Sequence, residues 1–214
     1  MKLYTYSNSS AAYRVRIALN LKAIKAEYEF VSLVKNGGEQ HRPDYQAVNP
    51  QEFVPTLQVA GHNLGQSLAI IEYLDEVHPN PPLLPMHPLE RARVRQLALA
   101  VACDIHPVNN LSVRQFLKSE MKHSDAEINV WYEHFIHRGF KPLEALLANS
   151  KETGKYCHGD EITLADICLV PQVYNARRYK ISLEAYPTIV RIDAALRALP
   201  EFADAAPEKQ PDAA

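Results

Sequence analysis

The run His78-Pro79-Asn80-Pro81-Pro82-Leu83-Leu84-Pro85-Met86-His87-Pro88 decides how this chain is read. It carries five prolines, and proline lacks the backbone N–H that a helix interior or a central strand requires. The segment therefore reads as a boundary, and the residue pattern differs on its two sides. We read residues 1–80 as one domain, 81–88 as a proline-rich linker and 89–214 as a second domain.

Upstream of the boundary the pattern alternates as in an α/β unit. Lys2–Tyr6 is a short β-prone run, and Ser9-Ser10 precede a stretch in which Val15, Ala18, Leu19 and Leu21 form an apolar stripe broken by charged positions. Tyr28–Val34 reads as a second strand closed by the turn residues Asn36-Gly37-Gly38. Pro55 to Gln66 reads as two short strands around a tight turn near Gly61. Ser67 then reads as the N-cap of a helix through Leu74.

Downstream, Leu89–Lys122, Asp125–Asn149, Thr163–Tyr179 and Pro187–Phe202 show helical spacing, which predicts an all-α domain. Thr163-Leu164-Ala165-Asp166 has the hydroxyl and carboxylate spacing of a capping box, and Pro107 predicts a kink in the first of these helices. The polar, proline-interrupted stretch 205–214 reads as a surface tail.

The chain has 214 residues, 47% of them hydrophobic, which is enough to fill real cores. With 23 Lys+Arg against 25 Asp+Glu the formal net charge is −2, and residues 1–85 alone hold 7 basic and 8 acidic groups. Neither half is a polycation, so neither nucleic acid nor an anionic membrane is an expected partner. No apolar run reaches the eighteen residues of a membrane span, and the N-terminus lacks a signal-peptide core. Cys103, Cys157 and Cys168 are too few and too irregularly spaced for a disulfide framework or a CxxC metal site, so we expect no metal and a cytoplasmic protein.

Any chemistry must then come from local constellations. Hydroxyls at the start of a helix, as at Ser9-Ser10, lie where unpaired N–H groups favour a carboxylate, a phosphate or a thiolate; equally, they simply cap the helix. Val54-Pro55-Thr56 places a proline at a strand entry, either as an edge-strand start or as a cis bond. Gln66-Ser67 sets an amide beside a helix start, which suits a carboxylate or serves as a cap with a surface glutamine. His106, Asn109 and Asn110 put polar groups beside the kinking proline. The run Asn175-Ala176-Arg177-Arg178-Tyr179-Lys180 is a favourable helix C-terminus or a small anion site.

Taken together, these blocks resemble the zeta-class glutathione transferases, the family of maleylacetoacetate and maleylpyruvate isomerases. The resemblance rests on Ser9-Ser10 with Arg14-Val15-Arg16-Ile17, Asn49-Pro50 with Val54-Pro55-Thr56-Leu57, Gln66-Ser67 through Leu74, Cys103 to Pro107, Leu164-Ala165-Asp166 with Leu169 to Val173, and Gln210-Pro211-Asp212. It implies a thioredoxin-like α/β N-terminal domain, an all-α C-terminal domain and a homodimer. It also implies glutathione as cofactor, with Ser9 and Ser10 at the thiol and Val54, before a cis-proline, pairing with the cysteinyl unit. Gln66 and Ser67 would hold the γ-glutamyl end and Gln40 the glycyl side, with His106 and Asn110 adding contacts. Arg178, with Arg177 beside it, would meet a substrate carboxylate. The implied activity is cis–trans isomerisation of maleylacetoacetate or maleylpyruvate in aromatic-acid catabolism, by thiolate addition, bond rotation and elimination. The alternative is conjugation of small electrophiles or α-halo acids; a non-catalytic glutathione-binding module is a third reading. The family pattern often has arginine at Asn8 and Ser112 and cysteine at Ala11. Each lost arginine removes a charge-assisted bond worth roughly 1.5–3 kcal/mol; Arg114, two positions beyond Ser112, is a candidate to offset one of them, although i and i+2 do not share a helix face.

Overall fold

A computed structural model describes residues 1–213 and divides into two compact units, Met1–Leu83 with Ala198–Ala214, and Leu84–Arg197. The first unit is built on a four-stranded mixed sheet. Its strands are β1 (Lys2–Thr5), β2 (Glu27–Phe30), β3 (Thr56–Val59) and β4 (His62–Leu64), in the order β2-β1-β3-β4. β1 runs parallel to β2, with Leu3 opposite Tyr28, and antiparallel to β3, with Leu3 opposite Leu57. The parallel pair needs a crossover, supplied by α1 (Ser10–Leu21). A hairpin joins β3 to β4 through Ala60 and Gly61, both at positive φ, the backbone a two-residue hairpin turn requires. Below the sheet, α3 (Ser67–Val77) buries Ile70, Ile71 and Leu74, and it packs on α1.

Several elements differ from the sequence expectation for identifiable reasons. β2 stops at Phe30 instead of Val34, because side chains compete for the next backbone groups: Glu39 Oε2 accepts from Ser32 N at 2.7 Å, and Ser32 Oγ accepts from Lys35 N at 3.1 Å. Ser67 is the first residue of α3 and not its cap; Gln66, at φ 64°, is the N-cap. The charged positions that interrupt the α1 stripe are themselves buried, Arg14 at 2% and Arg16 at 1% exposure. Arg16 donates to Tyr6 O, Ser7 O, Ala205 O and Thr5 Oγ1, so its charge is taken into the core with acceptors on several sides.

The described part of the stretch, residues 205–213, is likewise not a surface tail. Ala205, Ala206, Pro207 and Gln210 are buried in the first unit. Asp212 Oδ2 accepts from Ser7 N at 2.9 Å, and Tyr13 Oη donates to Phe202 O at 3.1 Å. These are contacts between residues about two hundred positions apart, which no local pattern encodes. The proline run is also anchored rather than free at its start. The buried Lys22 ammonium donates to Asp75 Oδ1, His78 O and Pro81 O, and Asp75 accepts in addition from Leu83 N.

The second unit is helical: α4 (Pro88–Leu99), α5 (Leu111–Ser119), α6 (Asp125–Ala148), α7 (Leu164–Arg178) and α8 (Pro187–Arg197), after numbering the short α2 (Pro43–Gln46) in the first unit. The short α9 (Pro200–Ala203) belongs to the first unit and packs on α1. The expected long helix 89–122 is broken: a π-helical turn spans Ala100–Ile105, Pro107–Asn109 forms a 3₁₀ turn, and Asn110 caps α5 by accepting from Ser112 N at 3.3 Å. Packing fixes the π turn closely, since a Cβ on Gly139 of α6 would stand 2.2 Å from Ile105 Cγ1.

α7 is the central helix, buried along nearly its whole length. Its N-terminus is set by Asp166, which is fully buried and accepts from Cys157 N, Thr163 N and Thr163 Oγ1 at 2.8–2.9 Å. These donors oppose the burial that pushes its carboxyl above the ordinary aspartate value. Asp166→Ala would leave three donors without an acceptor, so it should cost about 2–3 kcal/mol. A urea midpoint unchanged from the parent would refute this role.

Candidate active site

The first unit gathers one set of candidate groups around the N-termini of its two long helices. Ser9 is the N-cap of α1, and its Oγ accepts from Ala12 N at 3.2 Å. With a lone pair thus occupied, its O–H is left to donate, and the acceptor it faces is Val54 O at 3.5 Å, the far limit of a hydrogen bond. Ser9 is therefore a donor held in place by its helix yet barely engaged. It stands where the α1 N–H groups favour negative charge. Ser10, the first residue of α1, is buried.

Val54 precedes a cis bond to Pro55, and the loop carrying it is held by a buried polar network. Tyr45 Oη donates to Phe53 O at 2.6 Å, and Asn49 Nδ2 donates to Phe53 O at 2.9 Å and to Thr56 Oγ1 at 3.0 Å. Burial pushes the Tyr45 phenol up to about 12, so it stays neutral and keeps donating at physiological pH. Tyr4 packs edge-on against Tyr45, with ring centroids 5.7 Å apart.

At α3, Gln66 donates from Nε2 to Gln51 Oε1 at 3.1 Å and makes no side-chain cap. No side chain therefore competes for the first N–H groups of α3, which suits a carboxylate. Ser67 is buried and accepts from Arg14 Nη1 at 3.3 Å, so α1 and α3 are joined at the site. Gln40 is also buried, with Nε2 2.9 Å from His41 Nε2. Its Oε1 has no hydrogen-bond partner among the described residues.

The second unit carries the remaining candidates on the break between α4 and α5 and at the end of α7. His106 and Asn110 lie in the break between α4 and α5; Asn110 serves as the α5 cap, and the neighbouring Asn109 is buried and donates to Tyr132 O at 3.2 Å. At the C-terminus of α7 the two arginines diverge. Arg177 contacts the buried carboxylate of Asp193, which Arg197 Nε also meets at 3.2 Å, so Arg177 serves the packing of α7 on α8. Arg178 is exposed and has no carboxylate within 4 Å among the described residues; its guanidinium lies 6.0 Å from the Tyr179 ring centroid. Arg114 of α5 lies over the Tyr179 ring at 4.6 Å and touches the Tyr179 hydroxyl, while Tyr132 stacks on Tyr179 at 4.0 Å. Of the two adjacent arginines, Arg177 is thus engaged by an acid and Arg178 is not.

Sequence reading missed Arg14, Gln51, His41, Glu52 and the Tyr45–Asn49–Thr56 network. Each acts by holding another side chain or a backbone carbonyl, and such pairing across a loop leaves no period in the sequence. The protein's own thiols lie elsewhere: Cys157 and Cys168 are buried, burial pushes the Cys157 thiol up, and Cys103 is exposed on the π turn. Among the described residues no group of His, Cys, Asp and Glu could hold a metal ion, and no helix is long and apolar enough to cross a membrane.

Comparison with known families gives this arrangement a context. A model of the glutathione S-transferase N-terminal domain matches residues 3–82, and one of the C-terminal domain matches residues 108–204. This chain belongs to the glutathione S-transferase family. The transferase is 52% identical over 211 residues to a probable maleylacetoacetate isomerase of Vibrio cholerae, covering 99% of this chain and 97% of that protein. A solved maleylpyruvate isomerase, described as a bacterial zeta-class glutathione S-transferase, superposes with a TM-score of 0.97 at 46% identity over all of both chains. A maleylacetoacetate isomerase from Methylobacterium extorquens, solved with malonate and glutathione bound, gives 0.96 at 42% identity over all of both chains. The transferase is thus of the zeta class, with the α/β-plus-all-α architecture of that family.

Proposed function

We propose that this chain is a glutathione-dependent cis–trans isomerase acting on maleylacetoacetate or maleylpyruvate. The observation that carries the proposal is likeness over the full length to proteins of that name, at 52% identity to one and a TM-score of 0.97 to another. When bound, glutathione supplies a thiolate that adds reversibly to the activated cis double bond, so that the bond can turn before the sulfur leaves. The residues present fit that cofactor. Ser9 donates its O–H to the sulfur and stabilises the thiolate form, with Ser10 beside it. The Val54 backbone, on its braced loop, pairs with the cysteinyl unit, and Gln66, Ser67 and the open N-terminus of α3 take the γ-glutamyl carboxylate. Gln40, buried beside His41, takes the glycyl end through its amide. His106 and Asn110 are assigned to glutathione as well.

Arg178 is assigned to the substrate carboxylate, because it is the α7 arginine whose charge is not spent on a neighbouring acid. Arg178→Ala should raise the substrate KM by about 10- to 100-fold and leave the glutathione KM within about twofold, the loss of one charge-assisted bond. Equal rises in both constants would assign Arg178 to structure.

A second reading, conjugation of small electrophiles or α-halo acids, is favoured by Asn8 and Ser112 standing where the zeta pattern often has arginine. The test is to supply maleylpyruvate or maleylacetoacetate with and without glutathione and follow formation of the fumaryl isomer. Glutathione-dependent conversion supports isomerisation; conjugation of a model electrophile without conversion supports the second reading. We place the enzyme in the cytoplasm, in aromatic-acid catabolism, as a homodimer, for which the exposed Met86 and Leu89 offer apolar surface.

A further inference from the structure

The Gln40 amide packs against the backbone of Gly38, in the space a side chain there would take. Gly38 has φ +107°, and a Cβ there would stand 2.5 Å from Gln40 Nε2 and 2.7 Å from Oε1. Residue 40 is 6% exposed, yet half of its amide lacks a partner: Oε1 is buried without one, and Nε2 lies 2.9 Å from His41 Nε2. The other ring nitrogen, His41 Nδ1, contacts Glu52 Oε2. Glu52 Oε1 in turn accepts from Gln46 Nε2 at 2.7 Å. A relay thus runs from Gln46 through Glu52 and His41 and ends on a buried amide with an unpartnered oxygen.

Donor and acceptor rules fix the bond directions. An ionised carboxylate only accepts, so His41 Nδ1 carries a hydrogen and donates to Glu52. The bond to His41 also holds the Glu52 carboxyl below its ordinary range. In the neutral ring Nε2 is then the acceptor, and it takes an N–H of Gln40. A second proton on the ring makes Nε2 a donor facing an amino group. That contact survives only if the amide turns over, so that Oε1 accepts from Nε2–H and the amino group takes the place of the unpartnered oxygen. One proton therefore selects which end of the Gln40 amide is offered to a ligand. An anionic group needs the amino end.

We propose that His41 and Glu52 are positioning residues that couple capture of the glycyl carboxylate of glutathione at Gln40 to uptake of a proton by His41. The inference rests on the assignment of Gln40 to the glycyl end made above. Among the described residues Glu52 is the carboxylate within ion-pair distance of His41. The other charges on the surrounding turns are committed or set apart. Glu39 accepts from Ser32 N, Arg42 pairs with Asp44 and also feels Glu39 and Glu29 of β2, and Lys35 lies on the preceding 3₁₀ turn.

The sign follows from linkage. Ligand capture favours protonated His41, so binding takes up a proton, and affinity falls as pH rises, by at most about tenfold per pH unit for one proton. The test is calorimetric titration with S-methylglutathione, whose sulfur has no ionisable proton, between pH 6 and 8 in two buffers of different ionisation enthalpy. We expect uptake of a fraction of one proton and a Kd that rises about 3- to 10-fold across this imidazole range. The glycyl monoethyl ester of the same probe, whose carbonyl still accepts from the amino end but carries no charge, should bind more weakly and with a shallower pH dependence. His41→Gln should flatten the profile for the parent probe, and Glu52→Gln should move the proton uptake to lower pH. S-methylglutathione binding without proton uptake, or an unchanged profile in His41→Gln, would overturn the coupling while leaving the glutathione assignment standing. Absence of binding at every pH would overturn both.

Discussion

Ser9→Ala should lower the glutathione-dependent rate at neutral pH by about 10- to 100-fold while leaving glutathione affinity within a few-fold. A hydrogen bond to a charged group is worth roughly 1.5–3 kcal/mol, and each 1.36 kcal/mol of differential stabilisation moves a pKa by one unit, so the bound thiol should titrate about one to two units higher. The geometry of this hydroxyl supports the expectation. Its lone pair is engaged by Ala12 N, and its proton meets only the distant Val54 carbonyl, so the donor is in place before any thiolate arrives. The sign of the pH dependence is distinctive. A raised thiol pKa means less thiolate at neutral pH, so the variant should recover toward the parent rate as pH rises through its new titration. Ultraviolet titration of the bound thiol together with the pH–rate profile checks both parts; a lower rate with an unmoved thiol titration would assign Ser9 to capping alone. Loss of the cap adds a separate stability cost of about 0.5–2 kcal/mol, visible in thermal unfolding rather than in the thiol titration.

Arg16→Met should have the largest effect on stability, a loss of roughly 3–5 kcal/mol. Arg16 is 1% exposed, and its guanidinium donates to Ala205 O at 2.9 Å, Ser7 O at 3.0 Å, and Tyr6 O and Thr5 Oγ1 at 3.2 Å. Methionine fills much of the volume but removes the donor from Ala205 O, Ser7 O and Thr5 Oγ1, each at a cost of about 1–3 kcal/mol before relaxation, while Tyr6 O keeps its bond from Ser9 N at 3.0 Å. At about 2–4 °C per kcal/mol for a chain of this size, Tm should fall by roughly 6–20 °C. Arg16→Lys should recover only part of this, because an ammonium cannot spread its donors as a planar guanidinium does. A fall in Tm of under about 2 °C would show that the four bonds contribute little. The same residue ties the segment 5–7, just before Ser9, to Ala205, so stability and the placement of the proposed thiol-facing hydroxyl have a common anchor.

The parts of this fold legible in the sequence are those set by local chemistry. Ser9 caps α1, and the Thr163–Asp166 spacing starts α7 with Asp166 accepting from Thr163 N. Pro107 breaks the helical stretch that contains it. What was not legible depends on residues distant in sequence. Arg14 and Arg16 read as the polar side of an amphipathic helix, yet Ser67 and Ala205 O make their burial possible. The stretch 205–214 has the composition of a tail, and only the contacts of Asp212 with Ser7 and of Arg16 with Ala205 show it as part of the first unit. Gln66 and Ser67 exchange roles by one position because Gln66 adopts a left-handed backbone, which a glutamine does not advertise. Arg177 and Arg178 look equivalent in sequence and differ because Asp193, fully buried on α8, engages only the first.

The central claim is that glutathione serves this enzyme as a recycled cofactor and is not a consumed substrate. The most direct measurement supplies maleylpyruvate, or maleylacetoacetate generated in situ, in about hundredfold excess over glutathione, and quantifies both the fumaryl isomer and free glutathione at the end. The account predicts complete conversion with the glutathione recovered. Conversion that stops when one glutathione has been used per substrate molecule, or no conversion above the enzyme-free background, would contradict it.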